Sequence, residues 1–134
     1  MPLQIGETIY KYCMFVSWYK PQALHCNTKL IHTLAKTAVV ILNWNGKDFL
    51  QKFLPSVIQY SLGYADIIVA DNASTDGSVD FLRNSFPEVS IIRNQVNGGF
   101  AKGYNDALVE VDAEYFILLN SDIKVSENWI QPII

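Results

Sequence analysis

The sequence predicts an α/β domain built on a mostly parallel sheet, and three observations carry that prediction. Short apolar runs of strand length alternate with stretches whose apolar residues recur at helical spacing, as in βαβ units with right-handed crossovers. The runs are continuous rather than alternating, which suits strands covered by helices on both faces. Polar residues gather after the first, second and fourth runs, and a parallel sheet brings those positions to one edge.

Residues 1–36 stand apart from this pattern. Ile9–Tyr19 is apolar and aromatic but interrupted by Lys11, and Pro21, Asn27 and Thr28 indicate irregular chain. A membrane-surface segment and a docking arm are both compatible with it. We read it as an N-terminal extension outside the working fold and assign it no role.

The regular pattern occupies residues 37–134. Ala38-Val39-Val40-Ile41-Leu42 predicts the first strand, ending in Asn43-Trp44-Asn45-Gly46. Asn45 is positioned to cap a helix, with Asp48 in the first turn favoured by the helix dipole. Phe49, Leu50, Phe53, Leu54, Val57 and Ile58 share one face of that helix. Pro55 predicts a kink or restart, because it withholds a backbone donor. Ile67-Ile68-Val69-Ala70 is the second strand, closed by Asp71-Asn72-Ala73-Ser74-Thr75-Asp76-Gly77-Ser78. Ser74 or Asp76 can cap a second helix, which carries Val79, Leu82 and Phe86 inward and stops at Pro87. Val89-Ser90-Ile91-Ile92 is the third strand. After Asn94-Gln95-Val96-Asn97-Gly98-Gly99 a third helix carries Phe100, Ala101, Tyr104, Ala107, Leu108 and Val111 as one stripe. Tyr115-Phe116-Ile117-Leu118-Leu119 is the fourth strand, expected to be buried on both faces and ending in Asn120-Ser121-Asp122. A last helix is predicted to begin near Glu127.

Composition narrows the function classes. The 134 residues make one domain at most, half of them apolar, with a net charge of −3. No run of Lys and Arg offers a nucleic-acid footprint. No apolar stretch reaches the ~18–20 residues that a membrane-spanning helix needs. The opening residues lack the marks of a secretory signal, so Cys13 and Cys26 are expected to be free thiols in a cytoplasmic protein.

The polar edge has the parts for a charged, base-bearing ligand. Trp44 can stack a nucleobase, typically at about 1–3 kcal/mol, or can be a rim aromatic. Asp71 at a strand end can accept hydrogen bonds from a base or ribose, and Asp122 can hold a divalent cation that also binds phosphates. Asp71 and Asp76 can equally be turn and cap residues. Gly98 and Gly99 can serve only the turn, although the helix start behind them offers free N–H groups to an anion. Competing motifs fail. Gly98 and Gly103 have P-loop spacing, but Tyr104-Asn105 stands where Lys-Ser/Thr is required, and neither a dinucleotide fingerprint nor a G-x-S-x-G elbow is present. His25 and His32 have no triad or metal spacing around them.

Four motifs in order, Val39–Gly46, Asp71–Ser78, Asn97–Asn105 and Leu118–Asp122, resemble glycosyltransferase family 2, and most closely its rhamnosyltransferase-like branch. The resemblance runs from Thr37 to the C-terminus. It implies a GT-A (Rossmann-like) three-layer domain, C-terminally truncated, and an inverting sugar transfer from a nucleotide-sugar donor to an acceptor hydroxyl. The acceptor would be a saccharide or lipid-linked saccharide, in cell-surface polysaccharide synthesis. By position, Asn43 and Trp44 line the base pocket, Asp71 contacts the base, and Asn97 and Gly98 lie beside the nucleotide. Asn120 and Asp122 occupy the D-x-D place, with Asp122 the ligand of Mg²⁺ or Mn²⁺. Asn120 replaces the first aspartate and brings no charge, so Asp122 carries the metal nearly alone. The family's catalytic base lies further downstream than Ile134, so residues 1–134 are expected to bind donor without turning over. Strands missing beyond Ile134 would leave an open sheet edge. The expected location is cytoplasmic, or peripheral at the inner face of the membrane. A non-catalytic nucleotide-sugar binding module is the alternative. A nucleotidyltransferase fits less well, for want of a glycine-rich loop after the first strand.

Overall fold

The computed structural model describes residues 15–17 and 36–134. In chain order these form β1 (Phe15–Ser17), β2 (Thr37–Asn43), α1 (Lys47–Ser61), β3 (Asp66–Asp71), α2 (Ser78–Ser85), β4 (Ser90–Arg93), α3 (Gly99–Leu108) and β5 (Tyr115–Asn120). The strands lie in the order β1-β5-β2-β3-β4. β2 to β5 are mutually parallel, and β1 runs antiparallel along the outer edge of β5, Val16 opposite Ile117. The four expected parallel strands are therefore present.

β2 is the axis of the sheet because it is covered on both faces. Val39 and Ile41 join Ile67, Val69, Ile117 and Leu119 under Leu50, Leu54 and Val57 of α1 and Leu82 of α2. Ala38 and Val40 turn the other way, with Ile68 and Ala70, against Tyr104 and Ala107 of α3. Handedness explains the division. The chain steps one way from β2 through β3 to β4, with α1 and α2 on one face. It then returns across the sheet to β5, and a right-handed crossover in that direction puts α3 on the opposite face.

Several expectations need correcting. β1 arises within the N-terminal stretch read as lying outside the fold. Its three residues add a strand where the sequence shows no alternation, because an edge strand draws its stability from backbone pairing. The remainder of that stretch, with Cys13, Cys26, His25 and His32, falls outside the described residues. β5 is not buried on both faces: Ile117 and Leu119 are enclosed, Phe116 and Leu118 are half-covered, and Tyr115 is exposed. α1 runs from Lys47 to Ser61 without restarting at Pro55, and Phe49 lies outside its buried face. Phe100 is likewise exposed at the start of α3, edge-on to Tyr104.

The helix expected near Glu127 is absent, replaced by turns. Asn128 takes a positive φ of 59°, which a right-handed helix cannot contain. Packing replaces helical hydrogen bonding there. Ile123, Val125 and Ile130 complete the α1 face of the core, and the Trp129 indole N–H donates to the buried Ser61 hydroxyl at 3.1 Å.

Leu54 lies at the centre of this packing. Leu54→Ala is expected to cost about 2–5 kcal/mol through lost burial and a residual cavity, read as a lower urea midpoint with an unchanged slope. A loss below about 1 kcal/mol would show the α1 face to be loosely packed.

Candidate functional site

The strand order reverses between β2 and β5, and in open α/β sheets such a switch point opens a crevice at the carboxyl ends of the strands. Four loops meet at that edge: residues 43–47 after β2, 71–78 after β3, 94–99 after β4, and the turn 120–122 after β5. All the site residues expected from the sequence are carried on them.

A buried polar pair joins the first two. Asn43 and Asp71 are both fully enclosed, and the Asn43 amide Nδ2 donates to Asp71 Oδ1 at 3.2 Å. The Ser74 backbone N–H donates to Asp71 Oδ2 at 3.0 Å, and Arg93 Nε lies 3.7 Å from the same oxygen. An enclosed carboxylate requires this many partners, because an unpaired buried charge is strongly unfavourable. Asp71 thus holds its own loop. Because it is fully enclosed, a base could reach it only if the loop around it opened.

The Ser74 hydroxyl extends the pair, accepting from Asn43 Nδ2 at 3.2 Å and from the Asn45 backbone N–H at 2.8 Å. Asn43 Oδ1 has no hydrogen-bond partner. It faces Gly46, where an added Cβ would lie 2.5 Å from that oxygen and 3.4 Å from the Ser121 hydroxyl. A glycine is needed there for the loop to close over the amide and approach the turn after β5.

The capping of α1 differs from expectation, while Asp76 caps α2 as expected. Asn45, at a φ of 48°, reaches across to accept the Thr75 N–H at 2.8 Å and does not cap α1. Asp76 does so from the neighbouring loop: Oδ2 accepts the Lys47 N–H at 2.9 Å, while Oδ1 accepts the Ser78 N–H at 3.0 Å and the Ser78 hydroxyl. One carboxylate therefore serves the first residue of both α1 and α2. Partial burial works against its ionisation, but the bonds from the Ser78 hydroxyl and the Lys47 and Ser78 backbones outweigh that and hold its pKa below the ordinary 3.8.

Asn72 performs the equivalent task toward the third loop. Its Nδ2 donates to Asn97 Oδ1 at 2.8 Å and to the Gly99 carbonyl at 3.1 Å, and its Oδ1 accepts from Asn94 Nδ2 at 3.0 Å. Asn94 Nδ2 also donates to the Gly103 carbonyl at 2.9 Å. A Cβ on Gly103 would meet the Asn72 amide at 2.9 Å, so this glycine serves close packing and not phosphate spacing. Asn97 is bound into the network and its Oδ1 also accepts the Gly99 N–H at 2.9 Å, so the first N–H of α3 is occupied although Gly98 itself has no side chain to cap with.

The remaining candidates face outward. Trp44 is 59% exposed and Asp122 is exposed, and among the described residues neither has a hydrogen-bond or ion-pair partner. Asn120 is half-buried. Gly46 brings the Trp44 loop against the Asp122 turn, and the last paired rung sets Leu42 opposite Asn120. No three His, Cys, Asp or Glu side chains gather as a cation cage among the described residues. A hard cation here would therefore rely on Asp122, on the Asn120 amide oxygen, and on oxygens brought by a ligand. The free Asp122 carboxylate fits that use.

Ser74 was expected only as a possible helix cap, and Asn72 and Asn94 were given no role, yet all three tie the loops of this edge together. The available signal was the repeated placement of an amide within two residues of a strand end. Tyr104 was read only as an apolar stripe residue, yet its hydroxyl donates to the Leu119 carbonyl at 2.8 Å and receives the Leu42 N–H at 3.4 Å. Burial pushes this phenol up to about 12, so it stays protonated and can do both.

Comparison with known proteins places this geometry. The model of a family described as glycosyl transferase family 2 matches residues 38–134. A poly(ribitol-phosphate) beta-glucosyltransferase of Bacillus spizizenii is 32% identical over 93 residues, covering 65% of this chain and 15% of that protein. Among solved structures, S. aureus TarS in complex with UDP-GlcNAc superposes with a TM-score of 0.65 at 19% identity, covering 73% of this chain and 30% of that one. The mannosyltransferase PcManGT from Pyrobaculum calidifontis, in complex with GDP-Man and Mn²⁺, gives 0.60 at 20% identity over 67% and 28% of the two chains. The fold is that of the GT-A transferases. The chain spans 15% to 36% of the length of the first curated relatives it matches.

Two outcomes follow from the loop network. Asp76→Ala is expected to lose about 1 kcal/mol at neutral pH, as for a lost cap. Because the folded-state pKa is depressed, this contribution is complete above 3.8 and disappears as pH falls through the lower folded value. Urea titrations of both proteins should therefore converge in acid; a constant gap would mean that the carboxylate charge is not what caps the helices. Gly103→Ala should lower the thermal midpoint by about 4–8 °C, as for a loss of roughly 1 kcal/mol, and Asn72→Ala should relieve part of that loss.

Proposed function

We propose, from the premise that this chain belongs to glycosyltransferase family 2, that it is the donor-binding part of an enzyme moving a sugar from a nucleotide-sugar to an acceptor hydroxyl. One observation carries the reading: three cross-bonded loops meet the turn after β5 at the point where the strand order reverses, and the unpartnered side chains presented there include an aromatic, Trp44, and a carboxylate, Asp122. In this reading Trp44 stacks the base beside Asn43. Asp71 contributes either by base contact, after its enclosing loop opens, or by holding the loop. Asn97, Gly98 and the start of α3, whose first N–H is held by Asn97, lie beside the diphosphate.

Asp122, with Asn120, would hold Mg²⁺ or Mn²⁺. A cation bound there would neutralise the charge that develops on the leaving diphosphate. That the PcManGT complex contains Mn²⁺ and a nucleotide-sugar, and the TarS complex UDP-GlcNAc, supports this reading. The acceptor hydroxyl needs a base positioned on the face of the sugar opposite the leaving group, which gives inversion. We place that base in sequence beyond Ile134, so residues 1–134 alone should bind donor without transfer. A role in cell-surface polysaccharide synthesis at the inner membrane face, and membership of the rhamnosyltransferase-like branch, extend the same proposal. No helix among the described residues is long and apolar enough to cross a membrane.

Calorimetry tests it. A nucleoside diphosphate should bind this chain more tightly with Mn²⁺ than with chelator, and Asp122→Ala should abolish the difference, on the order of tenfold in affinity as for one charge-assisted bond. Equal affinity with and without metal in the wild type would remove Asp122 as a ligand. Trp44→Ala should weaken binding under both conditions by about 1–3 kcal/mol. An unchanged affinity would return Trp44 to the rim.

A further inference from the structure

The reversal of the sheet leaves a mechanical problem at the place where the proposed site lies. β2 and β5 are paired up to the rung that sets Leu42 opposite Asn120, and directly beyond it the two chains must part. Asn43 turns toward β3, where its carbonyl accepts the Asn72 N–H at 2.8 Å, while Asn120 enters the turn that ends in Asp122. The width of the crevice is set at that fork. Tyr104 is 3% exposed and its hydroxyl bridges the fork, donating to Leu119 on one branch and receiving from Leu42 on the other.

The geometry assigns Tyr104 as a positioning residue for donor binding, its hydroxyl fixing the separation of the β2 and β5 ends and thereby the place of the Asn120-Ser121-Asp122 turn. The inference rests on the proposed donor-binding function. Three features support it. The ring is held independently of the hydroxyl, among Ala38, Val40, Ile68 and Ala70 and edge-on to Phe100, so its aim is fixed by packing. The hydroxyl acts on backbone and not on ligand, so its effect passes to the turn through Leu119, one residue before Asn120. The turn's other ties, Ile123 in the α1-side core and the Ile123 N–H bond to the Asn120 carbonyl at 3.3 Å, lie on its far side and do not span the β2–β5 fork.

Tyr104→Phe keeps the ring and removes only the hydroxyl. Amide hydrogen exchange of wild type and variant reads the fork directly. Exchange should quicken about tenfold at Leu42 and at residues 121–123, the equivalent of one lost hydrogen bond, while amides of β3 such as Val69 keep their rates. Calorimetry with a nucleoside diphosphate and Mn²⁺ should show about a tenfold loss of affinity in the variant, with Tyr104→Leu, which also disturbs the packing, as the comparison for a general loss of stability. Exchange that is unchanged, or that quickens evenly over the sheet, would overturn the assignment. So would local quickening with unaltered nucleotide affinity. A wild-type chain that binds no nucleoside diphosphate would overturn the function itself, an outcome separate from a variant that binds as the wild type does.

Discussion

The Asn43–Asp71 pair is the constraint on which the working edge depends. Two adjacent parallel strands end in polar residues that are fully enclosed, and the Asn43 amide donates to the Asp71 carboxylate. Burying a carboxylate is costly unless its oxygens are occupied, so the pair dictates the course of the chain beyond it. The 71–74 turn must curl back to offer its N–H, and Ser74 must then face Asn43 and Asn45. Gly46 must be without a side chain so that the next loop can cover the amide. Much of the loop geometry follows from making one interior charge tolerable.

The same economy recurs at the other loops. Asp76 serves two helix starts, and Asn72 gathers Asn94, Asn97 and Gly99 while Gly103 supplies the room. These are mostly amides and short hydroxyls acting across loops, where each bond contributes modestly but leaving a member buried and unpaired costs more than the bond itself contributes. Polar side chains at this edge therefore divide into two groups. Asn43, Asp71, Asn72 and Asn94 turn inward and build the wall. Trp44 and Asp122 turn outward and remain available.

That division marks what the sequence could disclose. The four parallel strands and three helices were legible because continuous apolar runs and helical stripes are written locally, in residues such as Val39–Leu42 and Leu50, Leu54 and Val57. The placing of Asn43, Asp71 and Asp122 at one edge was legible for the same reason, since strand ends of a parallel sheet coincide. The direction in which each side chain turns was not legible. Asp71 and Asp122 occupy similar positions in sequence, yet one is enclosed and the other exposed, and only the fold of the neighbouring loops separates them. β1 was invisible because three residues pairing at an edge leave no periodic trace. The supposed helix after Glu127 failed because Asn128 adopts a left-handed backbone while Trp129 and Ile130 are held by α1.

The stitching also has a mechanical meaning. The loops after β2, β3 and β4 are cross-bonded through Asp71, Ser74, Asp76 and Asn72 into a single rigid jaw. The turn after β5 meets that jaw where Ser121 lies against Gly46 and is held between Leu119 on one side and the buried Ile123 on the other. Among the described loops this turn is the one joined to the jaw by contact alone, so it has the most room to adjust to a guest molecule.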